Sequence, residues 1–272
     1  MPMHLSKVKL VVTDMDGTLL NSKGIVSDQF IDLYHELSRK GVHFVAASGR
    51  QYYSIVSKLE AISDQITIIA ENGGFVVKDK KELMVKEIKP SVVRSFMEEL
   101  RAVSNSYIIL CGKKRAYAEN SDEKFIDIFS EYYHKYEIVK DLKEVKDDAI
   151  LKIATYHLQD SEKYIYPKVK VFEKDYQVKV SGKNWLDISN ADSNKGVALE
   201  YVQQKMGIQK SETMVFGDYN NDLEMLELAD FSYAMENAHP NVIAKANYRT
   251  SGNDDLGVEK VLKELLEAKN SL

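Results

Sequence analysis

Short apolar runs that end in turns or polar loops dominate the first part of the chain. Val8 to Thr13 form a Val-rich run that stops at Asp14, which predicts a buried strand followed by a loop. Apolar side chains then recur at helical spacing between Asp28, which can cap a helix, and Gly41, which can end one. The run VHFVAAS follows at once. A strand, a helix and a strand joined this closely predict a right-handed βαβ unit in a parallel sheet.

The α/β pattern continues, is interrupted and then returns. A helical pattern from Arg50 to Leu59 leads to a buried apolar run from Ile66 and a Gly-rich turn. Possible strands and helices then alternate without strict βαβ order, and the α/β order resumes after Lys195. We therefore expect an α/β protein with a Rossmann-like doubly wound parallel sheet and an inserted α+β domain. The expected boundaries are residues 1–82 and 188–272 for the core and residues 83–187 for the insert.

Composition and charge narrow the class of protein. A chain of 272 residues with 44% hydrophobic and 29% charged residues is typical of a globular protein with one catalytic domain and a smaller module. The net charge of −5 argues against a whole-protein electrostatic grip on nucleic acid or an anionic membrane. Any phosphate ligand must therefore be bound by a local site.

The cysteine content and the lack of long apolar segments predict a location. The single cysteine, Cys111, excludes an internal disulfide framework and fits a reducing compartment. The apolar run before Asp14 resembles a first buried strand more than a signal peptide, and no apolar run approaches the roughly 18 residues that span a bilayer. We expect a cytoplasmic monomer or small homo-oligomer that binds neither nucleic acid nor membranes.

Polar residues directly follow several of the predicted strands. Ligands of open α/β sheets bind at the carboxyl ends of the strands, so these residues should meet in one crevice. Four segments have this placement in the sequence: DMDGTL at Asp14, SGR at Ser48, SNKG at Lys195 and GDYNND at Asp218.

The first and fourth segments carry candidate metal ligands. Asp14 and Asp16 are two residues apart at a strand end, so in an extended chain their carboxylates share one face. Together with Asp218 they offer the oxygen ligands that Mg²⁺ prefers. In an isolated loop, Asp-x-Asp-Gly-Thr would instead be a polar turn held by local hydrogen bonds. Its position between a buried strand and three similar segments favours the metal site.

The same loop offers a nucleophile toward phosphorus. A carboxylate can attack a phosphate ester and split hydrolysis into formation and breakdown of an acyl phosphate. Fixed cations must then reduce the repulsion between two anions, a task for which the compact charge of Lys195 is suited. Ser48 and Thr18 offer hydroxyl donors to the phosphate oxygens. A lone Lys or Ser is otherwise a surface residue, so these assignments depend on their placement.

Further candidates have two interpretations each. The backbone N–H of Gly49 can approach a phosphate at the start of the next predicted helix. Arg50 either binds substrate or covers the edge of the sheet. Asp222 either coordinates the metal through water or orients Lys195, and Asn221 and Asp222 are equally suited to capping a helix.

With these four segments in this order, the chain resembles the haloacid dehalogenase superfamily of phosphohydrolases, and within it the Cof-type group. DMDGTL matches the nucleophile loop, Ser48 the second signature, Lys195 the third and GDYNND the fourth. Cof-type proteins also tend to carry Asn-Gly after the third strand, here Asn72-Gly73, and a cap inserted between the second and third signatures. The resemblance spans nearly the whole chain.

The resemblance implies a role for each matching position. Asp14 would be the nucleophile, Asp16 the general acid and base with its backbone carbonyl on Mg²⁺, and Asp218 the remaining metal carboxylate. The residues that would hold phosphate are Ser48, Gly49, Lys195 and Asn221. The implied activity is hydrolysis of a small phosphorylated metabolite, such as a sugar phosphate or a flavin-pathway or nucleotide-like phosphate, by a phosphoric monoester hydrolase.

Substrate specificity is expected to reside in the insert, as a mobile cap that closes over the crevice. Its aromatic residues Tyr107, Tyr117 and Trp185 are candidates for substrate contact, although a place in a hydrophobic core is the simpler expectation for each. Tyr219 departs from the small residue that many relatives have beside the metal loop, so it bears on substrate size.

Two other functions remain open at this point. A phosphomutase would use the same nucleophile loop but would pass phosphate to a second position on a sugar. A non-catalytic phosphate-sensing module would only bind or store the phosphoryl group, and it would have no need of Asp16 beside the nucleophile. Phosphate release measured against isomer formation separates the first rival from a phosphatase.

Overall fold

The computed structural model describes residues 5–119 and 122–271. The strands are β1 Leu10–Asp14, β2 His43–Ala47, β3 Thr67–Ala70, β4 Phe75–Lys78, β5 Lys81–Val85, β6 Ser106–Gly112, β7 Ala116–Ala118, β8 Tyr136–Ile138, β9 Ile150–His157, β10 Tyr176–Val180, β11 Trp185–Asn190, β12 Thr213–Gly217, β13 Phe231–Ala234 and β14 Tyr248–Arg249. The α-helices are α1 Asp28–Arg39, α2 Tyr52–Lys58, α3 Pro90–Arg101, α4 Glu123–Tyr132, α5 Ser161–Tyr164, α6 Tyr166–Val169, α7 Lys195–Met206, α8 Leu223–Leu226, α9 Pro240–Lys245 and α10 Gly257–Asn270.

The chain divides into two compact units. The first contains the chain up to Gly49, Ile55–Leu83 and the chain from Asn194 onward. The second contains Arg50–Ser54 and Met84–Ser193. None of the helices in the described ranges is long and apolar enough to cross a bilayer.

The sheet of the first unit has the order β14-β13-β12-β1-β2-β3-β4-β5. The strands from β14 to β3 pair in parallel, and β4 pairs antiparallel with β3. Every residue of β1 and β12 is buried, as expected for central strands of a parallel sheet with both faces covered. The predicted α/β fold class, a doubly wound parallel sheet with an inserted α+β segment, is confirmed.

The first helix differs from its prediction at the cap. Ser27, not Asp28, is the N-cap: its Oγ accepts a hydrogen bond from Phe30 N at 3.0 Å and donates one to Glu259 Oε1 at 2.6 Å. Asp28 is the first helical residue, where its charge still favours the positive end of the helix. The helix ends as predicted before Gly41, which has a φ of +77°.

The second unit is built on a mixed sheet with the order β10-β11-β9-β6-β7-β8. Its pairs are antiparallel except for β7 with β8. One hydrophobic core contains residues of α3, such as Phe96 and Leu100, together with Leu110, Ile153 and Ile188 of the strands. A second core contains Phe125 and Phe129 of α4 packed with strand residues Ile109 and Ala154. Because consecutive strand residues point to opposite faces, these two cores lie on opposite faces of the sheet.

Candidate active site

The register of the central strands brings the predicted segments to one edge of the sheet. Asp14 is the last residue of β1, which lies between β2 and β12. It pairs with Ala47, so Ser48 begins its loop beside Asp14. The preceding residue, Thr13, pairs with Phe216 of β12, and Asp218 comes two residues after Phe216, just beyond the end of that strand. Parallel strands place their carboxyl ends on the same edge, which is why residues distant in sequence meet here.

Lys195 forms a buried ion-pair triad with two aspartates. Its Nζ lies 2.5 Å from Asp14 Oδ1 and 2.7 Å from Asp222 Oδ1. The side chains of Lys195 and Asp222 are 0% exposed and that of Asp14 is 7% exposed. Burial by itself lowers the pKa of Lys195, but the two carboxylates raise it above its ordinary value, so the ammonium stays charged. The triad holds a cation directly against the predicted nucleophile.

Asp14 itself lies in an environment that opposes its ionisation. Burial raises the pKa of the Asp14 carboxyl well above its ordinary value. The positive charge of Lys195 lowers this pKa, and the negative charges of Asp222 and Asp218 raise it again. One lysine against three neighbouring carboxylates leaves an excess of negative charge. A bound divalent cation would remove this excess.

Both carboxylate oxygens of Asp222 are engaged by the protein. Oδ1 accepts from Lys195 Nζ, and Oδ2 accepts from the backbone N–H groups of Asp218 at 3.0 Å and Tyr219 at 3.1 Å. Direct coordination of a metal would compete with these bonds. Of the two predicted roles, the contacts favour the one in which Asp222 orients Lys195 and fixes the turn that carries Asp218.

The residues present fit a hard divalent cation. Asp14, Asp218 and Asp222 each offer a carboxylate oxygen, and these oxygens lie within 4.8 Å of one another. Burial, followed by the charge of Asp222, raises the pKa of Asp218 to about 6. Gly17 approaches this group closely at a φ of +75°: a Cβ there would lie 2.3 Å from Asp218 Oδ2. Carboxylates packed against backbone in this way are the ligands that Mg²⁺ and Ca²⁺ take.

Asp16 and Thr18 lie in the same loop but in different surroundings. The side chain of Asp16 is exposed, and it is not one of the three clustered carboxylates. Thr18 is buried, and its Oγ1 donates to Asp218 Oδ1 at 3.1 Å. This bond favours a role for Thr18 in holding the metal carboxylate rather than the phosphate contact predicted for its hydroxyl.

An asparagine that received no catalytic role from the sequence connects the phosphate-binding candidates. Asn72 has the left-handed φ of +53°, and its N–H donates to Ser48 O at 3.0 Å. Its Oδ1 accepts from Asn221 Nδ2 at 3.0 Å, and a Cβ on Gly49 would lie 3.0 Å from the same oxygen. The Asn-Gly pair after a strand was the only sequence signal for it. Asn72 therefore joins the second signature to the fourth.

The neighbouring glycine connects this turn to the third signature. Gly73 has a φ of +96°, and a Cβ there would lie 2.2 Å from the backbone oxygen of Asn194. Asn194 is the N-cap of α7, whose first residue is Lys195. Only glycine allows this approach, so the turn is packed against the N-cap residue that directly precedes Lys195.

The contacts of the other predicted positions are as follows. Arg50 belongs to the second unit, where its Nη1 donates to Ser54 Oγ at 3.3 Å. Tyr219 is 56% exposed, with its ring edge-on to His239 at 5.6 Å between centroids. The aromatic candidates of the insert contact other residues of the second unit: Tyr107 stacks on Phe125, Tyr117 Oη donates to Asp148, and Trp185 packs edge-on against Tyr156.

Known proteins resemble this chain over nearly its whole length. A family model described as haloacid dehalogenase-like hydrolase matches residues 11–262. The 5-amino-6-(5-phospho-D-ribitylamino)uracil phosphatase YbjI of Escherichia coli (strain K12) is 34% identical over 266 residues, which cover 96% of this chain and 97% of YbjI. YcsE of Bacillus subtilis (strain 168), which is also named as a 5-amino-6-(5-phospho-D-ribitylamino)uracil phosphatase, is 25% identical to this chain. The match covers 94% of this chain and 95% of YcsE.

Solved structures agree with these relatives. The crystal structure of SMU.1108c from Streptococcus mutans UA159 superposes with a TM-score of 0.85 at 29% identity, covering 96% of this chain and 99% of that one. Hydrolases of this family generally use a divalent metal, and the clustered carboxylates described above are suited to bind one. The family match, the relatives and the fold agree with the resemblance seen in the sequence: the chain belongs to the haloacid dehalogenase-like hydrolases and is a phosphatase of that superfamily, a phosphoric monoester hydrolase.

Proposed function

We propose that this protein is a Mg²⁺-dependent phosphatase that hydrolyses a small phosphorylated metabolite through a phosphoaspartate on Asp14. The observation that carries the proposal is the buried triad, in which Lys195 Nζ lies 2.5 Å from Asp14 and 2.7 Å from Asp222. A carboxylate held against a fixed ammonium at the end of a strand is arranged to attack phosphorus rather than to stabilise the fold.

The reaction has two steps on the same phosphorus. An oxygen of Asp14 forms a bond to phosphorus while the ester P–O bond breaks, and the departing oxygen takes a proton from Asp16. Asp16 then accepts a proton from water, the resulting hydroxide attacks phosphorus, and the Asp14–phosphorus bond breaks to release inorganic phosphate. The exposure of Asp16 supports this role because water has access to its carboxyl.

The remaining site residues are assigned to binding Mg²⁺ and phosphate and to reducing the repulsion between the phosphate and Asp14. Asp14, Asp218 and the backbone carbonyl of Asp16 would hold Mg²⁺, which when bound neutralises charge on the phosphoryl oxygens. Lys195 reduces the repulsion between the phosphate and Asp14. The phosphate contacts are assigned to Ser48, Gly49, Lys195 and Asn221.

The substrate class rests on the relatives. Two of them are named as phosphatases of 5-amino-6-(5-phospho-D-ribitylamino)uracil, a flavin precursor, which makes this phosphate the first substrate to test and sugar phosphates the second. The choice of substrate is assigned to the insert, which forms the second unit, and the chemistry to the first unit. The acidic composition and the single cysteine support action in the cytoplasm on soluble metabolites.

Phosphate release from a panel of metabolites tests the proposal. With Mg²⁺ present, we expect release from the phosphoribitylaminouracil or a related phosphate at a kcat/KM well above that for p-nitrophenyl phosphate, and no release with Asp14→Asn. A sugar phosphate converted to an isomer without phosphate release would identify a phosphomutase instead. Release undiminished in Asp14→Asn would contradict the mechanism.

A further inference from the structure

A short loop that follows β13 contacts both halves of the proposed metal site. We name this segment, Met235–His239, the bracket loop. Its first residue donates from Met235 N to Gly217 O at 3.2 Å, and its last donates from His239 N to Asp218 O at 2.7 Å. The bracket loop is therefore hydrogen-bonded to the carbonyl before and the carbonyl after the Cα of Asp218, the residue whose carboxylate is assigned to the metal.

The middle of the bracket loop reaches the nucleophile loop. Asn237 Nδ2 donates to the backbone oxygen of Gly17 at 2.8 Å. Gly17 is the residue after Asp16, whose carbonyl is assigned to Mg²⁺, and it lies so near Asp218 that a Cβ on it would be 2.3 Å from Asp218 Oδ2. One side-chain amide thus links the first signature to the segment that holds the fourth.

A second asparagine extends the link. Asn237 Oδ1 accepts from Asn253 N at 3.2 Å, and Asn253 Nδ2 donates to Leu20 O at 2.9 Å. Both asparagines therefore use a side-chain donor on a carbonyl of the nucleophile loop, while the Asn237 side chain also holds Asn253 in place. The two contacts fix the loop on each side of Thr18, whose hydroxyl is bonded to Asp218.

The geometry leaves little tolerance for movement of this loop. A Cβ on Gly17 would already lie 2.3 Å from Asp218 Oδ2, so the backbone at Gly17 is in close contact with the metal carboxylate. A shift of a few tenths of an ångström changes the separation between the Asp16 carbonyl and Asp218. Mg²⁺ requires near-ideal octahedral geometry, so its affinity responds to such a shift more than that of a larger, more flexibly coordinated ion.

We infer that the bracket loop sets the affinity for Mg²⁺, with Asn237 as a positioning residue that holds the Asp16–Gly17 backbone at the correct distance from Asp218. The inference rests on the proposed function, because it concerns the metal of that same site. Asn237 is assigned no contact with substrate or metal, since its side chain bonds to the backbone of Gly17 and Asn253. The hydrogen bond from Asn237 to Gly17 is exposed, so its loss should lower the stability of the fold only slightly. Mutation of a residue that orients metal ligands, by contrast, typically changes metal affinity by about 10–100-fold.

The test compares three alanine variants by titration calorimetry of Mg²⁺ into the metal-free full-length protein. Asn237→Ala removes the link to Gly17, and Asn253→Ala removes the link to Leu20. The matched control is Asn247→Ala: Asn247 is also exposed and donates from Nδ2 to a backbone oxygen, that of Asp230, at 3.0 Å. Asn247 and Asp230 precede β14 and β13, so they lie at the opposite edge of the sheet from the bracket loop.

We expect the Mg²⁺ Kd to rise about tenfold in Asn237→Ala, to rise less in Asn253→Ala and to stay at the wild-type value in Asn247→Ala. The effects of Asn237→Ala and Asn253→Ala should be non-additive in the double variant, because the residues share one chain of hydrogen bonds. Phosphate release should require more Mg²⁺ in Asn237→Ala but should reach nearly the wild-type kcat at saturation. Equal melting temperatures in the three single variants would separate metal affinity from loss of fold.

Two results would overturn the inference. A wild-type Kd in both Asn237→Ala and Asn253→Ala would show that the bracket loop does not set the affinity, and an equal rise in Asn247→Ala would show a general loss of stability. If either result is obtained and the wild-type protein still hydrolyses phosphate esters, only the inference fails and the proposed function stands. A wild-type protein that neither binds Mg²⁺ nor releases phosphate would instead contradict the proposed function, and the inference with it.

Discussion

Two clusters of ion pairs, one in each unit, differ in how deeply they are buried. In the first unit, Lys195 and Asp222 are 0% exposed and form a triad with Asp14. In the second unit, Arg101 forms ion pairs with Glu119 and Asp141 whose side chains are 30–41% exposed. Burying charge is costly even when it is paired, whereas exposed pairs contribute little either way. The buried triad therefore has a desolvation cost that the exposed pairs of the second unit lack, and the catalytic role that we propose for Asp14 and Lys195 is a reason to bear that cost.

The largest expected effect is on turnover when the nucleophile is changed. Asp14→Asn keeps the size of the side chain but removes the attacking oxygen anion, so kcat should fall by at least about a thousandfold. Asp148→Asn in the second unit is the matched control: Asp148 is an aspartate that accepts hydrogen bonds from Tyr117 and from the backbone of Lys114 and Arg115. Steady-state phosphate release should be unchanged or nearly so in this control. A similar loss in both variants would mean that the effect arises from misfolding.

Removing the lysine of the triad should affect both activity and stability. Lys195→Met leaves the carboxylates of Asp14 and Asp222 buried without their cation, so the free energy of unfolding should fall by about 3–5 kcal/mol in metal-free protein. Arg101→Met in the second unit should lower it by only about 1 kcal/mol or less, because the pairs it breaks are partly exposed. Urea unfolding followed by circular dichroism measures both. Equal losses would contradict the contrast between the two units.

Metal removal should stop catalysis without unfolding either unit. In excess chelator, we expect phosphate release to cease, and added Mg²⁺ should restore it better than Ca²⁺, because the larger ion with its flexible coordination misplaces the phosphoryl group relative to Asp14. The circular dichroism spectrum should stay the same throughout. Full activity in chelator would contradict the metal role assigned to Asp218.

The smallest expected effect is on the pH dependence of Mg²⁺ affinity. Because burial raises the pKa of Asp218 to about 6, this carboxyl is mostly ionised at pH 7 and mostly protonated at pH 5. A protonated carboxyl does not bind the cation, so affinity should fall as the pH is lowered through about 6, and protonation of Asp14, whose pKa burial also raises, should add to the fall. Calorimetry over this range checks the direction. An affinity that is constant from pH 5 to pH 7 would contradict the raised pKa.

The parts of the fold that sequence reasoning predicted are those in which burial follows the local pattern. The central strands β1, β2, β3 and β12 are continuous apolar runs, and each was predicted. Three of the strands that were missed lack this signal: β5 and β8 consist of exposed or half-buried residues, and β14 has two residues. β11 was also missed, although Leu186, Ile188 and Ser189 in it are buried. Their existence depends on pairing with a neighbouring strand, which a local pattern does not record.

In the candidate site, too, the sequence predicted what depends on local pattern and missed what depends on contacts between distant segments. The positions of Asp14, Ser48 and Asp218 were predictable because each ends or follows a strand of the parallel sheet, where ligands gather. Lys195 does not follow such a strand: it is the first residue of α7, and β11 before it belongs to the sheet of the second unit. The predicted start of a helix at Arg50 was wrong, since α2 begins at Tyr52. The contacts of Asn72 and Asn237 join segments more than a hundred residues apart in sequence, so only the folded chain brings their partners together.

The most direct test of the account is detection of the covalent intermediate. Asp16→Asn should slow the second step more than the first, because a base is needed to activate the attacking water. With an activated aryl phosphate and Mg²⁺, this variant, quenched in acid within the first turnover, should contain a phosphoryl group that peptide mass spectrometry locates on Asp14. The same variant carrying Asp14→Asn should contain none. A phosphoryl group on another residue, or a burst of product with unmodified Asp14, would contradict the covalent mechanism.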